Sequence, residues 1–220
     1  MQISVKHDLK QLQRRLTDIE KKQIPFATTV ALNDVAFGLR THLQRKAQDD
    51  LDNPTPWTLR GFRVVQANMR TLKAMVYIAG SKGLPGENQD RNKYMTFQVE
   101  GGTRVPGQNT KGRAIVIPTK HVPRNPYGNP KGRNVARRIV QSKKGFSGKI
   151  DETAGIWQNQ GRGKNTTTRL MFRYKDSASY RPRFHFHRYG RAFVRQRFGG
   201  ALSRAMARAL RMGPRRGQRR

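Results

Sequence analysis

Positive charge in this chain is concentrated toward one end, and that concentration limits every fold the chain can adopt. Residues 101–220 hold 30 lysines and arginines against 3 acidic residues, whereas residues 1–100 hold 16 against 10. The extreme lies at the C-terminus: residues 181–220 contain 13 arginines and no lysine, aspartate or glutamate. With 46 cationic side chains and 13 carboxylates in all, most of the charge has no partner of opposite sign within the chain. The Debye length at physiological salt is about 8 Å, so screening relieves only the more distant repulsions. A fold of this sequence has to keep its cations at the surface, and a multivalent anionic partner is expected.

A length of 220 residues suits a single domain, or one domain with an appendage. The apolar fraction is 35%, with 21 glycines and 11 prolines, which points to a compact part with long irregular connections. Cysteine is absent, so disulfides and thiolate metal sites are excluded. No apolar run approaches the ~20 residues of a membrane span, and the start of the chain lacks the basic-then-apolar pattern of a signal peptide. No membrane partner is expected, and synthesis in the cytoplasm is.

Val5, Leu9, Leu12, Leu16 and Ile19 recur at helical spacing and predict a helix over 4–22, lying on its own domain rather than zipping to another chain. Ile24-Pro25-Phe26 interrupts that pattern and restarts it. The second helix should reach Asp49, with a broad apolar face built from two sets: Phe26, Val30, Asn33 and Phe37, and Ala27, Ala31, Val35, Leu39 and Leu43. Asp49, Asp50 and Asp52 stand at its C-terminal end, where the macrodipole disfavours acids. They are either partners for distant arginines or a solvated helix exit. Thr55 followed by Pro56 predicts an N-cap and first-turn proline of a short helix.

Residues 62–67 and 73–78 read as a hairpin. Residues 94–99 alternate like a strand, in competition with a short helix. From 103 to 155 the chain is rich in Gly, Pro, Asn, Lys and Arg, broken by an apolar run at 114–118 and a short helix over 135–141. We read 101–155 as an extended loop or arm and the most favourable contact region. Residues 156–160 and 167–174 form a second hairpin, with Leu170, Phe172 and Tyr174 on one face and Arg169, Met171 and Arg173 on the other. A closing amphipathic helix should begin at Arg183 or Phe184, with Gly199-Gly200 permitting a bend or close packing. It ends at Gly213-Pro214, leaving 213–220 as a disordered basic tail. The fold class expected is α+β in one domain, 1–220: N-terminal helices on a small antiparallel sheet, long basic loops and a C-terminal amphipathic helix.

Catalytic chemistry needs converging carboxylates, a base beside its nucleophile, or a metal cage. The basic half offers only Asp151, Glu152 and Asp176, in no metal-binding spacing. His185 and His187, two apart on a helix, point in different directions. Gly101-Gly102-Thr103-Arg104 and Gly161-Arg162-Gly163-Lys164 match no phosphate-binding fingerprint and read as flexible turns. No catalytic residue, metal or cofactor is assigned, and enzyme activity is not expected. Nucleic acid is the generic partner for such charge, through counterion release that is blind to sequence. The aromatics among the arginines of 180–189 could stack bases, but they read better as the core face of a helix start. No signature of a known nucleic-acid-binding fold accompanies them.

The order of certain segments resembles a known family. These are Ile24-Pro25-Phe26-Ala27 with Ala31-Leu32-Asn33, Pro54-Thr55-Pro56-Trp57-Thr58, Val99-Glu100-Gly101-Gly102-Thr103-Arg104, Tyr127-Gly128-Asn129, Gly155-Ile156-Trp157 and Tyr180-Arg181-Pro182-Arg183-Phe184. As a set, spread over residues 20–210, they resemble the tailed-bacteriophage minor tail protein Z, or tail completion, family. The proline- and glycine-rich stretch Pro118–Pro130 and the arginine-rich terminus depart from that family's pattern. The resemblance implies a non-enzymatic virion protein of the tail or neck, assembled as a homo-oligomeric ring. Portal, connector, tail tube or terminator rings would be its neighbours, and packaged DNA a further contact. Within that reading Arg204, Arg208, Arg211, Arg215, Arg216, Arg219 and Arg220, with Arg137, Arg138, Lys143 and Lys144, are the residues expected to face DNA or acidic partner proteins. The alternatives are a nucleic-acid-binding structural protein of ribosomal or nucleoid type and, third, a distant nuclease or other processing enzyme. Retention on heparin and DNA would favour the second, and a metal-dependent nuclease assay would decide the third.

Overall fold

Pro25 does not break the helical path. In the computed structural model, which describes residues 17, 19–86, 91–107 and 114–212, a π turn at Ile19–Gln23 runs directly into helix α1, Ile24–Asp50. A proline inside a helix lacks an N–H and presses its ring on the carbonyl four residues back, and a widened π turn just before it relieves both problems. The helix expected over 4–22 lies outside the described residues except for its last turn. The other elements are α2 (Pro56–Leu59), β1 (Phe62–Val65), β2 (Met75–Ile78), α3 (Arg91–Val99), β3 (Gly102–Arg104), β4 (Ile115–Pro118), α4 (Val135–Val140), β5 (Gly145–Ile150), β6 (Thr153–Gln160), β7 (Thr167–Lys175), β8 (Ala178–Tyr180) and α5 (Phe186–Met212). The protein is α+β, and among the described residues all strand pairs are antiparallel.

These elements group into two compact units. The described part of the first comprises 17, 19–49, 59–86 and 185–212, and that of the second 50–58, 91–107 and 114–184.

In the first unit only one of the two apolar sets of α1 is buried. Ala27, Ala31, Val35, Leu39 and Leu43 are inside, while Phe26 and Phe37 are exposed. Ala27, Ala31 and Val35 pack with Ala201, Ala205 and Ala209 of α5, flanked by Val30, Phe193, Phe198, Leu202 and Met206. Both sets recur every four residues, so each forms one ridge of its helix, and small side chains let the two ridges come close. The tightest approach is at Gly38, where a Cβ would stand 3.2 Å from the Phe193 ring. Gly199 and Gly200 play no such part: a side chain at Gly199 would meet nothing, and at Gly200 only the Arg204 side chain of the same helix. The polar Asn33 pins the hairpin to α1. Its amide donates to the Ala67 carbonyl at 3.1 Å and its oxygen accepts from the Ala67 N–H at 2.7 Å. The β1–β2 hairpin turns as expected through Asn68, whose side-chain oxygen accepts the N–H groups of Arg70 and Thr71.

In the second unit the sheet runs β4-β7-β6-β5, and a separate pair joins β3 to β8. Residues 101–155, read from sequence as an extended loop or arm, hold β3, β4, α4 and β5 and the start of β6. Strand β5 escaped notice because Gly145-Phe146-Ser147-Gly148 carries too little apolar pattern, yet Gly145 has to be small. A Cβ there would lie 1.9 Å from the Ile139 carbonyl oxygen where α4 crosses. Residues 94–99 are helical, so of the two competing readings the short helix holds, as part of α3. On β7 the expected two-face alternation is shifted by a bulge between β6 and β7, and both Met171 and Phe172 are buried, with Val122, Ile139 and Ile156. Helix α5 starts at Phe186 rather than at Arg183 or Phe184, because the N–H groups of both residues go to the Gln98 carbonyl of α3. Phe184 is fully buried, a contribution of about 1.5–3 kcal/mol.

Candidate functional site

The second unit contains a cleft of about 290 Å³, lined by the exit of α1, by α2 and α3, by the loop at 125–129 and by Arg183. Local chemistry builds each wall. Thr55 caps α2, its hydroxyl accepting the Thr58 N–H at 3.2 Å, as the Thr-Pro pair predicts. The Thr58 hydroxyl shares a hydrogen bond with that of Thr55 and accepts one from the Tyr94 hydroxyl at 3.2 Å. The Trp57 and Tyr94 rings stack with centroids 5.9 Å apart. Opposite, Asn125 organises a tight loop in which its side-chain oxygen accepts the N–H groups of Tyr127 and Asn129, and this presents both residues to the cleft. The Arg183 guanidinium pairs with the Asp52 carboxylate. The acid-rich exit of α1 therefore does find arginine, at Asp52, while Asp49 pairs with Lys46.

Gly101 closes the connection behind the cleft. Its φ of +72° is open to glycine, and a Cβ would lie 2.8 Å from Pro182 and 2.9 Å from the Tyr180 carbonyl oxygen. The next residues, Gly102–Arg104, pair with Ala178–Tyr180. Segments far apart in sequence, 54–58, 101–104, 127–129 and 180–184, thus gather in one unit. The cleft presents hydroxyls, amides, one exposed carboxylate and one guanidinium. Those groups recognise a polar chain or surface, and the carboxylate faces neither a histidine nor a second acid among the residues that line it. Among the described residues, no three of His, Asp and Glu come together as a metal-holding group. No described helix is long and apolar enough to cross a membrane.

The basic residues singled out from sequence fall into two sets. Arg204, Arg208 and Arg211 are exposed on α5 in the first unit, and Arg204 reaches Asp34 only loosely, at 3.8 Å. Arg137 and Arg138 are exposed on α4, and Lys143 and Lys144 on the turn into β5, all in the second unit. Lys144 Nζ donates to the Gly161 carbonyl at 3.4 Å, bringing the turn before β5 to the Arg162 loop. Arg215, Arg216, Arg219 and Arg220, with the tail expected over 213–220, lie outside the described residues. His42 of α1, which the sequence reading passed over, packs against Phe193 and Tyr189. Burial, and then Lys46, Arg45 and Arg197, push its pKa down. The cleft itself was missed because Asp52, Tyr94 and Arg183 converge only through long-range pairing. The signals present were the Thr-Pro cap and the acids at the end of α1. Comparison of the chain with protein-family models, with curated proteins and with solved structures finds no match.

Proposed function

We propose that this chain is a structural component of a tailed-bacteriophage particle, completing the tail or joining head to tail in the neck. It assembles as a homo-oligomeric ring and acts without bond-making chemistry, through docking surfaces. The observation that carries this reading is the convergence around one cleft of the segments that resemble the tail completion family: Pro54-Thr55-Pro56-Trp57-Thr58, Tyr127-Gly128-Asn129 and Arg183. Charge supports it further, because 13 carboxylates leave most of the 46 cations for an outside partner. A ring interface can supply that neutralisation many times over, through acidic neighbouring rings or packaged DNA.

The test is a nonsense mutation in the gene within its parent particle. The expected outcome is separate filled heads and finished tails, rescued by the chain supplied in trans, with rings of the purified protein in negative stain. Deleting residues 213–220 should weaken the joining. Unchanged yields of joined, infectious particles without the protein would overturn the proposal.

A further inference from the structure

Helix α4 covers only one face of the four-stranded sheet, and the other face carries an aromatic surface of its own. The register defines it: Phe146 pairs with Trp157, Gly148 with Gly155, Gly155 with Arg173, and Trp157 with Leu170. Cross-strand partners point to the same side, and these residues alternate with Ser147, Ile156 and Phe172, which face α4. The Trp157 indole N–H donates to the Gly148 carbonyl at 3.2 Å, which ties the ring to the neighbouring strand. The Phe146 ring leans toward Gly148, since a Cβ on that residue would be 3.7 Å from it. Gly155 has no room for a side chain, because a Cβ would lie 2.2 Å from the Phe172 carbonyl oxygen. Phe146 is 38% exposed and its cross-strand neighbour Trp157 is half-buried, while the Leu170 side chain fills the space at Gly155.

Cations border this face, and the acids of this region, Asp151, Glu152 and Asp176, are confined to the turns at one end of the strands, where Glu152 pairs with Lys149. Arg173 is exposed beside Gly155, and Lys144 and Arg162 stand at the end of the same strands. None of the four strands contains a carboxylate. We propose that the β5–β6 part of this sheet face binds an unpaired nucleic-acid strand, with bases stacked on Trp157 and Phe146 and phosphates held by Arg173, Lys144 and Arg162. Toward β4 the same face is covered, since Ile115, on the side of Arg173 and Lys175, is buried. Only an unpaired strand offers the faces of its bases, whereas a duplex or an acidic polypeptide would engage the cations and leave the rings unused. The inference does not depend on the virion reading.

The chain has two tryptophans, so Trp57→Phe leaves Trp157 as the sole indole reporter. An oligothymidylate of about 20 nucleotides at about 0.15 M salt should quench its emission, and a duplex of equal phosphate count should quench it far less. In the same background Phe146→Ala, at an exposed position that does not risk the fold, should weaken single-strand binding roughly 5- to 100-fold while leaving duplex binding unchanged. Arg173→Ala should lower the slope of log affinity against log salt by about 1. The proposal is overturned if the oligonucleotide binds without altering Trp157 emission, if Phe146→Ala binds it as the parent does, or if polyglutamate quenches equally.

Discussion

In the first unit α1 and α5 meet through Ala27, Ala31, Ala201, Ala205 and Ala209, whereas in the second α4 and its sheet close on Val122, Ile139, Ile156, Met171 and Phe172. Alanines bury little area each, so cohesion between α1 and α5 depends on close approach along many turns, with Phe193, Phe198, Leu202 and Met206 filling the flanks. The sheet unit depends on a few large side chains in one interdigitated cluster. A helix pair of the first kind should resist loss of volume and suffer from added volume, and the sheet unit should do the reverse. The charge distribution fits the contrast. Alanine ridges leave the rest of α5 free to carry arginines, while on the opposite face of the sheet unit Phe146, Trp157 and Arg173 share the surface with Ile115 and Leu170.

That contrast can be broken by experiment. Phe172→Ala should lower the unfolding free energy by about 3–5 kcal/mol, the largest effect anticipated, and hydrogen exchange should accelerate in β6, β7 and α4. Equal acceleration in α1 and α5 would break the distinction between the units. Ala205→Leu should cost about 1–3 kcal/mol by overpacking, read by denaturant melts, with loosening confined to α1 and α5. A neutral result would mean that the alanine ridges are not close-packed. Thr55→Ala removes the cap of α2 and should cost about 1 kcal/mol, visible as lost order around Trp57 in its fluorescence. Asp52→Asn should change stability by less than about 1 kcal/mol, since both partners of its ion pair with Arg183 are largely exposed.

The pH dependence is a matter of sign. His42 has a folded-state pKa below its ordinary value of 6.5, chiefly through burial and secondarily through Lys46, Arg45 and Arg197. The unfolded chain therefore binds the proton more readily, and stability should fall as pH drops through about 6.5 and below. Melting temperatures measured at about pH 7.5 and about pH 5.5 should differ more in the parent than in His42→Gln.

Much of the scaffold was legible in residue pattern. Helical spacing marked α1 and α5, paired β-rich runs marked the β1–β2 and β6–β7 hairpins, and Thr-Pro marked α2. Three features were not. The Pro25 interruption hid a continuous helix, because a π turn absorbs the defect. Tyr94-Met95-Thr96-Phe97-Gln98-Val99 alternates like a strand but is helical, with Met95 buried and Gln98 serving as acceptor for the chain before α5. The glycines of β5 concealed a strand, in which Gly145 alone has to be small because α4 lies above it. Of the candidate site, the cationic residues were visible by composition. The cleft was not, because Asp52, Tyr94, Tyr127 and Arg183 are separated by long stretches of chain.

The sequence by itself determined the α+β class, the approximate place of most elements and a surplus of cations too large for internal pairing, because periodicity and charge are properties of local order and composition. Only tertiary structure decided which of the two apolar sets of α1 is buried, that Thr103 would meet Ser179 across 76 positions, and that Phe146 would lie beside Trp157 on the neighbouring strand. Pairing at such separation is chosen by how hydrogen bonds and volumes close in three dimensions, and no local pattern encodes that choice.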